Sequence, residues 1–219
     1  MIRVVALLWC LVASVGVARA QTAGAPSQPA ATQDARPSIV ASTLLFLGGA
    51  AAGLGIHETG HVIFSATFDA NPRVEPLHYG VIPFFKIEHD PVTRRQEFVI
   101  SSAGFWMQYV DSEWILTARP DLRHEHQPFL KGMLAFDLAA STMYSIAAFG
   151  QFGPLERDTR GMAVSLGKDG WPEPVVGVIV LAPAALDGYR YLHPDSRWAK
   201  WASRGAKIAS VVLVAAAGR

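Results

Sequence analysis

The chain has 219 residues, of which 51% are hydrophobic and only 17% charged, against about a quarter charged in an ordinary soluble domain. That balance reads as a membrane protein, and a net charge of +1 gives no electrostatic case for nucleic acid as a partner. The single cysteine, Cys10, falls in the leading apolar segment, so no disulfide framework, zinc ribbon or thiol nucleophile is expected beyond it.

Residues 1–20 read as a secretory signal peptide. Arg3 supplies the basic start, 4–17 the apolar core and Ala18-Arg19-Ala20 an A-x-A cleavage site, the alternative being an anchor that stays attached. Residues 21–37, rich in Ala, Pro, Gln, Ser and Thr, read as a flexible tether. The remainder, 38–219, reads as one membrane-embedded domain without internal repeats.

The domain opens with 38–56, nineteen residues without a formal charge, enough to cross a bilayer. Its many small residues, Gly48, Gly49, Gly53 and Gly55 among them, allow neighbouring helices to approach closely. The run leads directly into His57-Glu58-Thr59-Gly60-His61, and the helix is expected to continue to about Phe68. This pentapeptide is H-E-x-x-H: on a helix, residues four apart share a face, so His57 and His61 can ligate one zinc ion while Glu58 serves as general base. The plain alternative is a chance match with two packed histidines. Ionisable side chains closing an apolar span are costly, and that favours a functional site.

Pro72, Pro76, Pro83 and Pro91 exclude a long helix over 69–96. Two short extended pieces, 79–82 and 84–89, suggest a hairpin lying against the membrane, whose edge could hold an extended peptide. His78 and His89 have no helical spacing to the motif and read as ordinary interfacial residues. A second apolar segment, 98–118, starts with Ser101-Ser102-Ala103-Gly104 and is interrupted by Asp111 and Glu113, which read as structural. His124 and His126 are two apart, do not share a helix face, and fall in a solvated loop.

A third span is expected over 132–152, with Asp137 as its only formal charge, hydrated or capping near the entrance. Gly153-Pro154 stops it, and a short surface helix follows over 155–167. The apolar run 175–186, broken by Pro183, is either a short crossing or re-entrant. The tail, with Arg190, Arg197, Trp198, Lys200, Trp201, Arg204 and Lys207, suits an interfacial helix backed by apolar 208–217. The fold class is therefore all-α: a polytopic transmembrane helix bundle of three to four spans with a short β-hairpin-like loop after the first.

Over about 38–190 the chain resembles the site-2 protease family of intramembrane zinc metallopeptidases. The likeness is carried by H-E-T-G-H at 57–61 closing an apolar helix, the hairpin-like Ile82-Pro83-Phe84-Phe85, Ser102-Ala103-Gly104-Phe105 where that family has A-G-P, and Leu186-Asp187-Gly188. Phe105 departs from the family's proline, the Asn that usually precedes L-D-G is absent, and Pro183 stands one place out. The resemblance implies a zinc metalloendopeptidase that cuts membrane-embedded or membrane-tethered proteins, in the inner membrane of a bacterium.

By that resemblance the third zinc ligand is Asp187. Counting crossings points instead to Asp158: after spans two and three the chain is back on the motif's side at Asp158, and a full fourth crossing carries Asp187 away. A re-entrant 175–186 would return Asp187 to the motif, so both remain candidates. Asp158 could equally pair with Arg157 or Arg160, and Asp187 with Arg190. The rival functions are a membrane protein that holds zinc without hydrolysis and a metal-free scaffold.

Overall fold

In the computed structural model the described residues are 38–79, 82–166 and 170–217, excepting the side chains of 77–79, 82–84 and 214–217. The signal peptide and tether expected over 1–37 lie outside them. Helix α1 spans Ile39–Thr67, and Ser38 caps its start by accepting the Ala41 N–H at 3.2 Å. Strands β1 (Arg73–Tyr79) and β2 (Ile82–Glu88) pair antiparallel, with Arg73 opposite Glu88 and Tyr79 opposite Ile82. The first strand thus begins six residues earlier than expected, because Pro76 is accommodated in a two-stranded ribbon where every residue has a free edge.

Five helices follow among the described residues. The second, α2, spans Arg94–Ala118 behind a capping box in which Thr93 and Gln96 satisfy each other's backbone N–H groups. Helix α3 (Pro128–Gly150) starts on proline and ends at Gln151 in the left-handed conformation. Beyond it lie the short α4 (Asp158–Ser165) and then α5 (Glu173–Leu192). A last helix, α6, covers Arg197–Ala217.

Glycines bring the helices together. A Cβ on Gly49 or Gly132 would strike the facing backbone of α3 or α1, and one on Gly53 would meet the Phe136 ring. These contacts advance together along both chains, so α1 and α3 run parallel. Helix α2 is antiparallel to α1, since Gly60 meets Ala103 while His57 meets Gly104. Helix α5 is antiparallel to α3, with Gly177 against Ala148 and Phe149 and Gly188 against Leu138.

Three helices, α1, α3 and α5, are long and apolar enough to cross a membrane. Large apolar side chains point outward from all three: Leu44 and Leu47, Met143 and Ile146, Val175 and Val178 are exposed. Such faces need a bilayer to cover them. The chain is a membrane protein on this ground, and the bundle with its hairpin is as expected.

Several expectations need correction. The run at 175–186 is not re-entrant but the middle of a continuous 20-residue helix, which Pro183 does not break. The helix after α3 is short and lies at the surface as expected, with Arg160 and Val164 exposed and Thr159, Met162 and Ala163 buried against its neighbours. Asp137 is neither hydrated nor a cap: it lies in mid-helix, 3% exposed, and meets Asp111 of α2 side chain to side chain.

The tail, expected as an interfacial helix, is bound into the bundle. Helix α6 packs on α5 and α2 with its polar residues inward, Ser203 and Lys207 being buried while Trp198, Trp201, Ile208 and Val212 are exposed. The reason is a buried ionic network. Asp187 accepts from Ser112 at 2.7 Å and Ser203 at 2.5 Å and pairs with Lys207 at 2.8 Å, while Arg190 binds Glu113 at 2.5 Å. Arg204 and Lys207 also reach Glu113. Arg190, Arg204 and Lys207, which look interfacial in sequence, are thus held by carboxylates from α2 and α5.

Candidate metal centre

His57 and His61 lie one turn apart on the buried face of α1 that also carries Gly53, Gly60 and Phe64. Small residues on the neighbouring helix make that burial possible. A Cβ on Gly104 would occupy the space of the His57 imidazole, and one on Gly60 would come within 2.6 Å of the Ala103 carbonyl. Aromatic rings of α3 complete the wall. Tyr144 stacks on His57 at a centroid distance of 6.0 Å, and Phe136 meets it edge-on at 6.4 Å.

The two ring nitrogens converge on one carboxylate oxygen. His57 Nε2 is 3.0 Å from Asp158 Oδ2, His61 Nε2 is 3.4 Å from the same atom, and the two nitrogens are 3.2 Å apart. Donors about 2.0–2.1 Å from a tetrahedral zinc ion stand about 3.3–3.4 Å from one another. The observed triangle matches one face of that tetrahedron. His61 Nδ1–H donates to the Ile100 carbonyl at 2.8 Å, the arrangement that would leave Nε2 to serve as the donor atom once a metal displaces its proton. Two imidazoles and a carboxylate also form a donor set suited to zinc. The residues present fit the metal that the motif implies.

Asp158 is the first residue of α4, just past the membrane-crossing part of α3. Burial by itself would raise its carboxyl, but the charge of His61 and the hydrogen bonds from His57 and His61 hold it well below the usual carboxylate range. It is therefore an anion at any ordinary pH, as a ligand must be. Glu58 of α1 lines a cleft of about 690 Å³ that also contains His61, Tyr144 and Asp158. One wall of this cleft is β2, through Phe85, Lys86, Ile87 and Glu88. Met143 and Leu155, both exposed, form an apolar rim.

The structure brings together His57, Glu58, His61 and Asp158. Asp187 is elsewhere, fully engaged with Ser112, Ser203 and Lys207. It follows the start of α5 by 14 residues, which at 1.5 Å per residue is about 21 Å along a helix leading away from the site. Neither arginine beside Asp158 pairs with it: Arg157 turns to Glu173, and Arg160 is exposed. His124 and His126 are exposed in the loop, as expected, while His89 bonds the Asp90 carbonyl and faces Glu97 at 3.4 Å. The His78 side chain lies outside the described ones.

The small residues Ala103 and Gly104 pack against the first helix as their size suggests, whereas sequence reasoning missed Tyr144 as a wall of the site. Phe136 and Tyr144 are eight apart, about two helical turns, and so share a face; that signal exists in the sequence but is equally that of an ordinary core stripe. No family model, no curated protein and no solved structure matches the chain. The likeness to the site-2 proteases therefore rests on the motif residues alone.

Proposed function

We propose that this chain is a zinc-dependent peptidase that hydrolyses membrane-embedded or membrane-tethered proteins. The observation that carries the reading is the convergence of His57 Nε2, His61 Nε2 and Asp158 Oδ2 on one point, with Glu58 in the same cleft. His57, His61 and Asp158 would hold the ion. When bound, zinc supplies an acidified water and a Lewis acid for the scissile carbonyl.

The chain's own groups do the rest. Glu58, adjacent to the ligands, takes a proton from the attacking water and delivers it to the leaving amine. Strand β2 lines the cleft through Phe85, Lys86, Ile87 and Glu88, beside which a locally unwound substrate segment can lie extended. Unwinding is required because a helix conceals its peptide bonds in internal hydrogen bonds. The apolar rim of Met143 and Leu155 suits a substrate arriving from lipid. The reading places the protein in a bacterial inner membrane, with a lipid bilayer and a membrane protein as its partners.

The test is a pair of measurements on detergent-purified protein: stoichiometric zinc, and cleavage of a membrane-spanning peptide. Glu58→Gln should retain zinc and lose cleavage. A Glu58→Gln variant as active as the wild type would refute the peptidase, and a wild type that binds no zinc would refute the metal centre. Unchanged zinc content with no cleavage by either protein would favour a zinc-holding membrane protein without hydrolysis.

A further inference from the structure

Asp158 stands directly beside Arg157 in the chain, and a guanidinium one residue away is a strong competitor for a metal-binding carboxylate. Yet the Arg157 side chain is turned from Asp158 entirely. Its Nε donates to Glu173 Oε1 and its terminal nitrogen to Glu173 Oε2, both at 2.6 Å, and its third nitrogen donates to the Pro154 carbonyl at 2.9 Å. The pair is deeply buried, with Arg157 6% and Glu173 8% exposed. On the other side of Asp158, Thr159 is wholly buried and donates its hydroxyl to Glu173 Oε1 at 3.0 Å. One carboxylate from the first residue of α5 therefore grips the residues on both sides of Asp158.

We propose that Glu173 is a positioning residue for the metal centre: by sequestering the Arg157 guanidinium it keeps that cation off the Asp158 carboxylate, which is left to the two histidines. The proposal rests on the reading of His57, His61 and Asp158 as metal ligands. Three observations support it. The Arg157–Glu173 bond is bidentate, the geometry in which a guanidinium is least able to share itself. Arg157 also borders the cleft that holds Asp158, so a guanidinium released from Glu173 has that carboxylate within the same cleft. Finally, α4 is seated closely on α2, where a Cβ on its Gly161 would strike the Ser101 side chain.

The decisive comparison is zinc affinity, by chelator competition, for the full-length wild type, E173Q and the double variant R157Q/E173Q, with cobalt absorption spectra as a second readout of the ligand set. Removing the charge at Glu173 frees Arg157, and zinc affinity is expected to fall about ten- to a hundred-fold, the range for losing a group that orients a ligand. Removing Arg157 as well takes away the competitor, so affinity and the cobalt spectrum should return towards wild type. A merely structural role predicts instead that E173Q loses stability while the cobalt spectrum of its bound metal stays as in the wild type, since a lone buried charge weakens the fold without altering the ligand set. Should E173Q not fold, Glu173→Asp is the milder variant, for which a smaller loss supports the proposal and unchanged affinity overturns it. With zinc bound by the wild type, equal affinity in E173Q or a double variant no better than the single overturns the role of Glu173 alone. A wild type that binds no zinc overturns the metal reading and this proposal together.

Discussion

The sharpest test of the site's construction is a methyl group. Gly104 of α2 faces His57, and a Cβ placed there would lie 2.5 Å from Nε2 and 2.7 Å from Nδ1 of the imidazole. Carbon contacts settle at about 3.5 Å or more, so Gly104→Ala requires the ring to move by about 1 Å. Metal–ligand distances tolerate about 0.2 Å, so a displacement of that size removes His57 as a donor. Dividing an apparent zinc binding energy of about 10–16 kcal/mol among four donors gives about 3 kcal/mol for one, roughly a hundred-fold in affinity. Overpacking should also cost about 1–3 kcal/mol of stability. The assay is zinc competition beside thermal denaturation, with Gly48→Ala and Gly55→Ala as controls, since a Cβ at either meets nothing within 4 Å. Zinc affinity in Gly104→Ala within about threefold of wild type would show that His57 is not a ligand held by this contact.

The two candidate aspartates should separate cleanly. Asp158→Ala is expected to abolish stoichiometric zinc while the bundle stays folded, whereas Asp187→Ala keeps zinc but loses about 3–5 kcal/mol, because Lys207 and Arg190 are left buried with one carboxylate fewer. Zinc retained by the first variant and lost by the second would reverse the assignment. Glu58→Gln should lower cleavage at least a hundred-fold at unchanged zinc content, as read by turnover of a membrane-spanning peptide. Asp137→Asn should leave stability within about 1 kcal/mol of the wild type, because the amide keeps a donor facing the buried Asp111 where the carboxyl already faces it; a larger shift of the denaturation midpoint in either direction would contradict this. Zinc affinity should fall as pH is lowered, since protons displace the metal from the imidazoles; Asp158, already held below the ordinary carboxylate range, stays ionised throughout. Affinity that instead rises on acidification would exclude histidine ligation.

Much of the architecture follows from composition and spacing. An uncharged run of nineteen residues closed by H-E-x-x-H dictates a membrane helix with two imidazoles on one face, and both are found there. Four prolines between 69 and 96 dictate a break in helix, and a hairpin fills it. The tail shows where such reading fails. Its Lys and Arg residues have the same composition whether they face a headgroup or a buried carboxylate, and only the packing of α6 on Glu113 and Asp187 distinguishes the two.

The sequence by itself determined the apolar spans and the local pair His57 and His61, because helical periodicity acts over a single turn and needs no partner. Which aspartate faces that pair was decided by tertiary structure. Asp158 and Asp187 are each flanked by a potential arginine partner, and nothing local tells them apart. Long-range pairing does: Glu173 takes Arg157, while Ser112, Ser203 and Lys207 take Asp187. Buried charge must be neutralised by whatever the bundle brings within reach, and that is a property of how helices distant in sequence are stacked.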